Sequence, residues 1–147
     1  GFLPRENKDK RIIMEELKDR KETLVFYESP HRIRETLEFF RDNLGNRRIS
    51  ICRELTKLHE QILRVSLDEA IEYYSEKDIK GEFVLVVEGK REEEILEEER
   101  AKWEALSIED HIKNYISEGL SKKEAIKKVA KDRKLSKSEI YKYSIDL

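Results

Sequence analysis

Two carboxylates carry the best-placed chemistry in this sequence. Glu28 ends the run Thr23-Leu24-Val25-Phe26-Tyr27, and Glu54 follows Ile49-Ser50-Ile51-Cys52-Arg53. Each has a guanidinium group close by in the chain, Arg32 for the first and Arg53 for the second. β-Branched and aromatic runs favour half-buried strands, and ligands of open α/β sheets gather beyond the carboxyl ends of strands. Carboxylate–guanidinium pairs at such ends either line a ligand site or form structural ion pairs on a sheet rim. Spacing alone leaves both open. Gly81-Glu82, just before the run Phe83-Val84-Leu85-Val86-Val87, joins them if it faces the same edge. Gly81 then serves either the turn into that run or the close approach of a flat ligand.

The segment after Glu28 sharpens the question. Ser29 is placed to cap a helix, and Pro30 suits its first position because the missing N–H has no partner there. His31 and Arg32 then fall at the partly positive end of that helix, a mismatch of about 0.3–1 kcal/mol per charge. A turn that holds a ligand would account for it. His31, His59 and His111 are scattered, without the spacing of a metal site, and no metal is expected. His59 lies beside Glu60 in a loop, and His111 reads as a surface residue. The five glycines are isolated, so there is no phosphate-gripping Gly-rich loop, and no nucleophile elbow is visible. Taken alone, the chain reads as half of an active site.

The elements that must position these groups follow from periodicity. Ile13, Met14 and Leu17 predict a helix over 8–20, and 23–27 is a strand. Ile33, Leu37, Phe40 and Leu44 predict a second helix, stopped by Gly45. Residues 48–53 form a strand, 54–60 a loop, and Ile62, Leu63, Val65 and Leu67 mark a third strand. Leu67 to Tyr74 is a short helix opened by Ser66 or Asp68. The continuous run 83–87, closed by Gly89, predicts a central strand covered on both faces. Residues 1–90 are thus an α/β block with a four- or five-stranded sheet mixing parallel and antiparallel pairs. Residues 91–106 are a charged helical linker carrying Ile95, Leu96, Trp103 and Leu106. Residues 107–147 are a small helix-turn-helix-like unit, in which Ser121 with Glu124 and Ser136 with Glu139 are two capping-box signatures.

Of the 147 residues 44% are charged and 37% hydrophobic, and the net charge of −2 excludes polyanion binding by bulk electrostatics. Distribution matters more. Glu crowds 92–104, whereas Lys and Arg dominate 119–142. Lys122, Lys123, Lys127, Lys128, Lys131, Arg133, Lys134 and Lys137 include an i, i+4 stripe suited to phosphates. The other reading is a solvated face that balances the acidic linker. The single cysteine, Cys52, rules out an intrachain disulfide and reads as a buried, inert thiol. No apolar stretch approaches the roughly 20 residues that span a bilayer, and no signal peptide is seen, which fits a cytoplasmic protein. The start at Gly1, inside an apolar element, predicts a fragment of something longer.

The runs TLVFYESPHR, ICRELTKLHE and KGEFVLVVEG, in that order and spacing, closely resemble the C-terminal half of the RsmI family. These tetrapyrrole-methylase-like enzymes methylate a ribose 2′-hydroxyl, here expected on a cytidine, in small-subunit ribosomal RNA. GFLPR resembles the family's entry into its second domain, and LSKKEAIKKVAKDRKLSKSEIYK its appended helix-turn-helix. The resemblance implies S-adenosylmethionine in a cleft shared with an N-terminal domain that carries the Gly-rich motif, and a homodimer. It implies that Tyr27, Glu28, Ser29, Glu54, Leu55, Thr56, Gly81, Glu82 and Phe83 line the second domain's side of that cleft. Arg32, Arg53 and His31 would face RNA or the methyl-transfer site. Glu28 or His31 is the candidate catalytic base, because a hydroxyl nucleophile gains from one. Two other readings stay open: a nucleic-acid-binding module acting through the Lys-rich tail, and a relative acting on a tetrapyrrole or another small molecule.

Overall fold

The computed structural model describes residues 1–145, which fall into two compact units, Gly1–Arg91 and Glu92 onward. The first contains helix α1 (Asn7–Leu17), strand β1 (Leu24–Glu28), α2 (Ile33–Leu44), β2 (Arg48–Arg53), β3 (Gln61–Ser66), α3 (Leu67–Tyr74) and β4 (Phe83–Val87). The four strands form one sheet in the order β1-β4-β2-β3, and every neighbouring pair is antiparallel. The expected mixture of parallel and antiparallel strands is therefore not found. Parallel pairing is confined to an isolated bridge, Phe2 to Tyr27. The reason is the late insertion of β4 between β1 and β2, which run in the same direction but never touch.

Alternation sets the covered face. Leu24, Phe26, Ile49, Ile51, Phe83, Leu85 and Val87 point into a core completed by Ile33, Leu37, Phe40 and Leu44 of α2 and Leu67, Ala70 and Tyr74 of α3. Phe26 meets Phe40 at 4.9 Å between ring centroids, and Tyr74 meets Phe83 edge-on at 6.0 Å. β4 is central, as its apolar run predicts, but it is covered on one face only. Val84 and Val86 are half-buried, and beside them Val25 and Tyr27 remain about half exposed. Cys52 is buried on this second face, and burial pushes its thiol pKa up, which makes it inert. A capping box absent from the sequence reading, Ser66 with Glu69, opens α3.

The second unit is helical: α4 (Glu92–Glu104), α5 (Ile108–Ser117), α6 (Lys122–Arg133) and α7 (Lys137–Lys142). Both predicted capping boxes form, Ser121 with Glu124 and Ser136 with Glu139. Ile112, Ala125, Ile126, Val129, Ala130 and Ile140 make its core. His111 is not a surface residue. It is buried, stacked on Trp103 at 5.1 Å, and its Nδ1 accepts from Arg133 Nε at 3.2 Å. The same guanidinium donates to the carbonyls of Trp103 and Leu106. The end of the charged segment is thereby stitched to α6.

Burial, then the neighbouring Arg133, hold the His111 pKa below the ordinary histidine value of 6.5. Unfolded His111 therefore binds a proton at a pH where the folded residue stays neutral. Stability of this unit is full above about pH 6.5 and falls as pH drops toward the folded pKa. We expect thermal melts followed by Trp103 fluorescence to show a falling midpoint below pH 6.5, and His111→Gln to flatten that slope.

Candidate functional site

Because β1 and β2 run alike and β4 runs against both, the carboxyl ends of β1 and β2 share one sheet edge with the start of β4. Phe83 is the cross-strand partner of Glu28 on one side and of Arg53 on the other. Glu28 and Glu54 thus do not follow neighbouring strands, since β4 lies between β1 and β2. Gly81-Glu82 enters the gap and does face the same edge. There a cavity of about 410 Å³ is lined by Tyr27, Glu28, Ser29, Leu55, Thr56, Gly81, Glu82 and Phe83, together with Phe2, Pro30 and Val84.

Glu28 is the buried member, with a side chain only 2% exposed. Its Oε1 accepts from the Ser29 amide at 2.8 Å, and its Oε2 accepts from the Thr36 hydroxyl at 2.7 Å. Arg32 Nε lies 4.0 Å from Oε1, and Arg32 Nη2 donates to the Pro4 carbonyl. A buried carboxylate needs such partners, because leaving it unpaired costs several kcal/mol. The helix entry differs from the expected one. Ser29 and Pro30 precede the helix in a turn closed by Arg32 N–H donating to the Ser29 carbonyl, and Arg32 is the residue before α2. Pro30 fits the second position of that turn. The cation at the positive helix end is explained by the Glu28 carboxylate beside it. His31 is exposed and, among the described residues, makes no hydrogen bond or ion pair.

Glu54 is pinned rather than free. Its Oε1 accepts from the Glu82 amide at 3.2 Å, its own amide donates to the Glu82 carbonyl at 2.9 Å, and Lys57 Nζ lies 2.8 Å from Oε2. Lys57 also meets Glu82 Oε2 at 2.8 Å. Its hydrogen bond and charge hold the Glu54 carboxyl below the usual range. Glu54 and Thr56 both have positive φ, 51° and 65°, which is uncommon for any side-chain-bearing residue and an outlier for β-branched threonine. Such strain, about 1–3 kcal/mol per residue, clusters at ligand-binding loops. Gly81 has φ 102°, and a Cβ there would lie 2.4 Å from Glu54 Oε1. Its glycine is required by the turn and by the carboxylate packed on it.

Arg53 donates to the Lys80 carbonyl at 2.5 Å and to Gln61 Oε1 at 3.1 Å, so it anchors the approach to Gly81. In the helical unit Lys123, Lys127, Lys128, Lys131 and Lys134 are exposed, and Lys122 is half-exposed. Lys128 lies over the Tyr115 ring at 4.3 Å. Lys131 and Lys134 share a cleft with Glu97 and Glu99 of α4. Among the described residues no group of His, Cys, Asp and Glu could hold a metal ion, and no helix is long and apolar enough to cross a membrane.

Residues 2–71 match the family model of the Tetrapyrrole (Corrin/Porphyrin) Methylases. The ribosomal RNA small subunit methyltransferase I of Halalkalibacterium halodurans is 52% identical over 141 residues, which cover 96% of this chain and 48% of that protein. Its Bacillus subtilis counterpart is 49% identical with the same coverage, and that of Synechocystis 33% identical over 148 residues, covering 100% and 51%. The chain belongs to the RsmI family. It spans about half the length of the curated relatives it matches.

In this RsmI-family chain two positioning residues escaped the sequence reading. Thr36 lies eight residues beyond Glu28 and inside a helix, and Lys57 sits in an irregular loop; only the folded positions reveal their partners. The Glu54–Gly81 contact is directly testable. Gly81→Ala should destabilise the first unit by about 1–3 kcal/mol in urea titrations, from positive φ plus displacement of the carboxylate. Glu54→Ala added to it should restore only the part due to the clash.

Proposed function

We propose that this chain supplies one wall of an S-adenosylmethionine cleft in an enzyme that methylates the ribose 2′-hydroxyl of a cytidine in small-subunit ribosomal RNA. The observation that carries this reading is the convergence of three loops, from β1, β2 and the start of β4, on one cavity. Its volume of about 410 Å³ suits a small-molecule site. Tyr27, Phe2 and Leu55 offer exposed apolar surface for a flat ring system, and Ser29, Thr56 and Glu82 offer polar groups for a ribose and an amino-acid moiety. The chemistry such a cofactor supplies is an electrophilic methyl group on a sulfonium.

Two groups then divide the work. Glu28 is buried and accepts one hydrogen bond on each oxygen, from the Ser29 amide and the Thr36 hydroxyl, so it holds the turn in place. His31, exposed beside Pro30, is left to accept the 2′-hydroxyl proton. Arg32 and Arg53 use only some of their five donors on protein carbonyls, and the remaining N–H groups face phosphate oxygens. Lys122, Lys123, Lys127, Lys128, Lys131 and Lys134 add RNA-binding charge from the tail. That charge favours RNA over a tetrapyrrole as substrate. The family resemblance also supports a homodimer and a cytoplasmic setting.

In the full-length protein, His31→Ala should lower kcat for methyl transfer to small-subunit RNA by about 10²–10⁴-fold with little change in KM. The 147-residue chain alone should bind S-adenosylmethionine weakly at best in calorimetry. Tight binding by it alone would contradict the shared cleft. A nucleic-acid-binding module without enzymatic function would instead keep all its RNA affinity in the tail and lose nothing on substitution of Arg32.

A further inference from the structure

The surface of α7 carries a feature that a phosphate-binding stripe does not require. Of the six large hydrophobic side chains exposed in the helical unit, four lie within the last eleven described residues: Leu135, Tyr141, Tyr143 and Ile145. Tyr141 is 59% exposed although it directly follows Ile140, which is fully buried. Lys137 precedes Tyr141 by four residues, so the two share a helix face, and Lys137 is exposed too. An exposed tyrosine ring leaves a large apolar area in water, and here it shares its helix face with a cation.

The charge around it is unusually one-sided. Between Gly119 and Ile145 there are nine Lys and Arg residues against three acidic ones. All three acids are already engaged. Glu124 and Glu139 fold back onto their own capping serines, and Asp132 accepts from the Tyr115 hydroxyl at 2.5 Å. Lys123 and Lys127, one helical turn apart and about 6 Å along the axis, have no carboxylate partner among the described residues.

We infer that α7 is a stacking platform for an unpaired nucleotide, with Tyr141 under the base and Lys137, on the same helix face, on a flanking phosphate. Cationic grooves that present aromatic faces bind single strands, because every unstacked base has a face to offer. Inside a duplex every base face is covered by its neighbours, and only the terminal pair exposes one. This rests on the reading of the tail as RNA-facing and adds the form of RNA that it takes.

The test uses the full 147-residue chain and two fluorescent RNAs of about twelve nucleotides, a uridine-rich single strand and a perfect duplex, at 0.1 M salt. Charge density alone favours the duplex. The expected result is the opposite: the single strand binds at least fivefold more tightly, Tyr141→Leu weakens it about 5- to 100-fold, and Tyr141→Phe retains it. Duplex binding should be unmoved by Tyr141→Leu. Equal or tighter duplex binding, or no effect of Tyr141→Leu on the single strand, would overturn the platform. So would binding to anionic phospholipid vesicles without binding to either RNA. The double variant Lys123→Gln, Lys127→Gln separates the two layers. If it spares RNA binding, the RNA-facing reading of α6 fails; if it abolishes binding while Tyr141→Leu does nothing, only the stacking fails.

Discussion

The antiparallel insertion of β4 between β1 and β2 is the constraint on which the first unit depends. The connection from β1 through α2 to β2 leaves a strand-wide gap, and β4 fills it from the opposite direction. That direction brings the beginning of β4, with Gly81-Glu82 before it, to the edge where β1 and β2 end. A row Glu28–Phe83–Arg53–Gln61 results, all on the covered face. Slipping β4 by one residue would turn Phe83, Leu85 and Val87 onto the bare face and Val84 and Val86 into the core. Core packing and site geometry are therefore one register, not two.

The two carboxylates at that edge illustrate opposite solutions to charge. Glu28 is buried, and its cost is offset by an amide, a hydroxyl and a guanidinium, each contributed by the turn or by α2. Removing any one partner leaves a charge in a poor dielectric, so this network is rigid. Glu54 lies nearer solvent, where its pair with Lys57 is worth little by itself. What fixes Glu54 is a pair of hydrogen bonds with the Glu82 backbone, whose carbonyl accepts from the Glu54 amide and whose amide donates to the Glu54 carboxylate, in a loop with two positive-φ residues. One side of the cavity is thus held by burial and the other by strain.

Much of this was legible in the sequence. The helix over Ile33, Leu37, Phe40 and Leu44, the strands at 24–28, 48–53 and 83–87, and the capping boxes at Ser121 and Ser136 are written in short-range periodicity and spacing. So were the three segments of the site, because strand ends are visible as interruptions of apolar runs. Strand order was not. The apolar run Phe83–Val87 marks a central strand, but nothing local in it names β1 and β2 as its neighbours or gives their direction, so parallel pairs and a doubly covered β4 were expected. His111 was misread for a related reason. A polar residue in an amphipathic pattern looks solvated until Arg133, twenty-two residues later, returns to cover it. The role of Glu28 turned on Thr36, whose sequence distance carries no signal.

In the helical unit the same few carboxylates govern both folding and surface charge. A capping glutamate satisfies an orphan backbone amide and stabilises its helix, but it also turns its charge inward along the chain, away from the lysines one turn further on. Helix α6 is divided by this. Toward its end, Lys131 and Lys134 share a cleft with Glu97 and Glu99 of α4, and their field is partly cancelled there. Toward its start, Lys123 and Lys127 have no carboxylate partner among the described residues. With screening over about 8 Å at physiological salt, the cancellation fades before Lys123, about 12 Å along the axis from Lys131. The acidic α4 therefore offsets the charge at the end of α6 more than at Lys123, near its start.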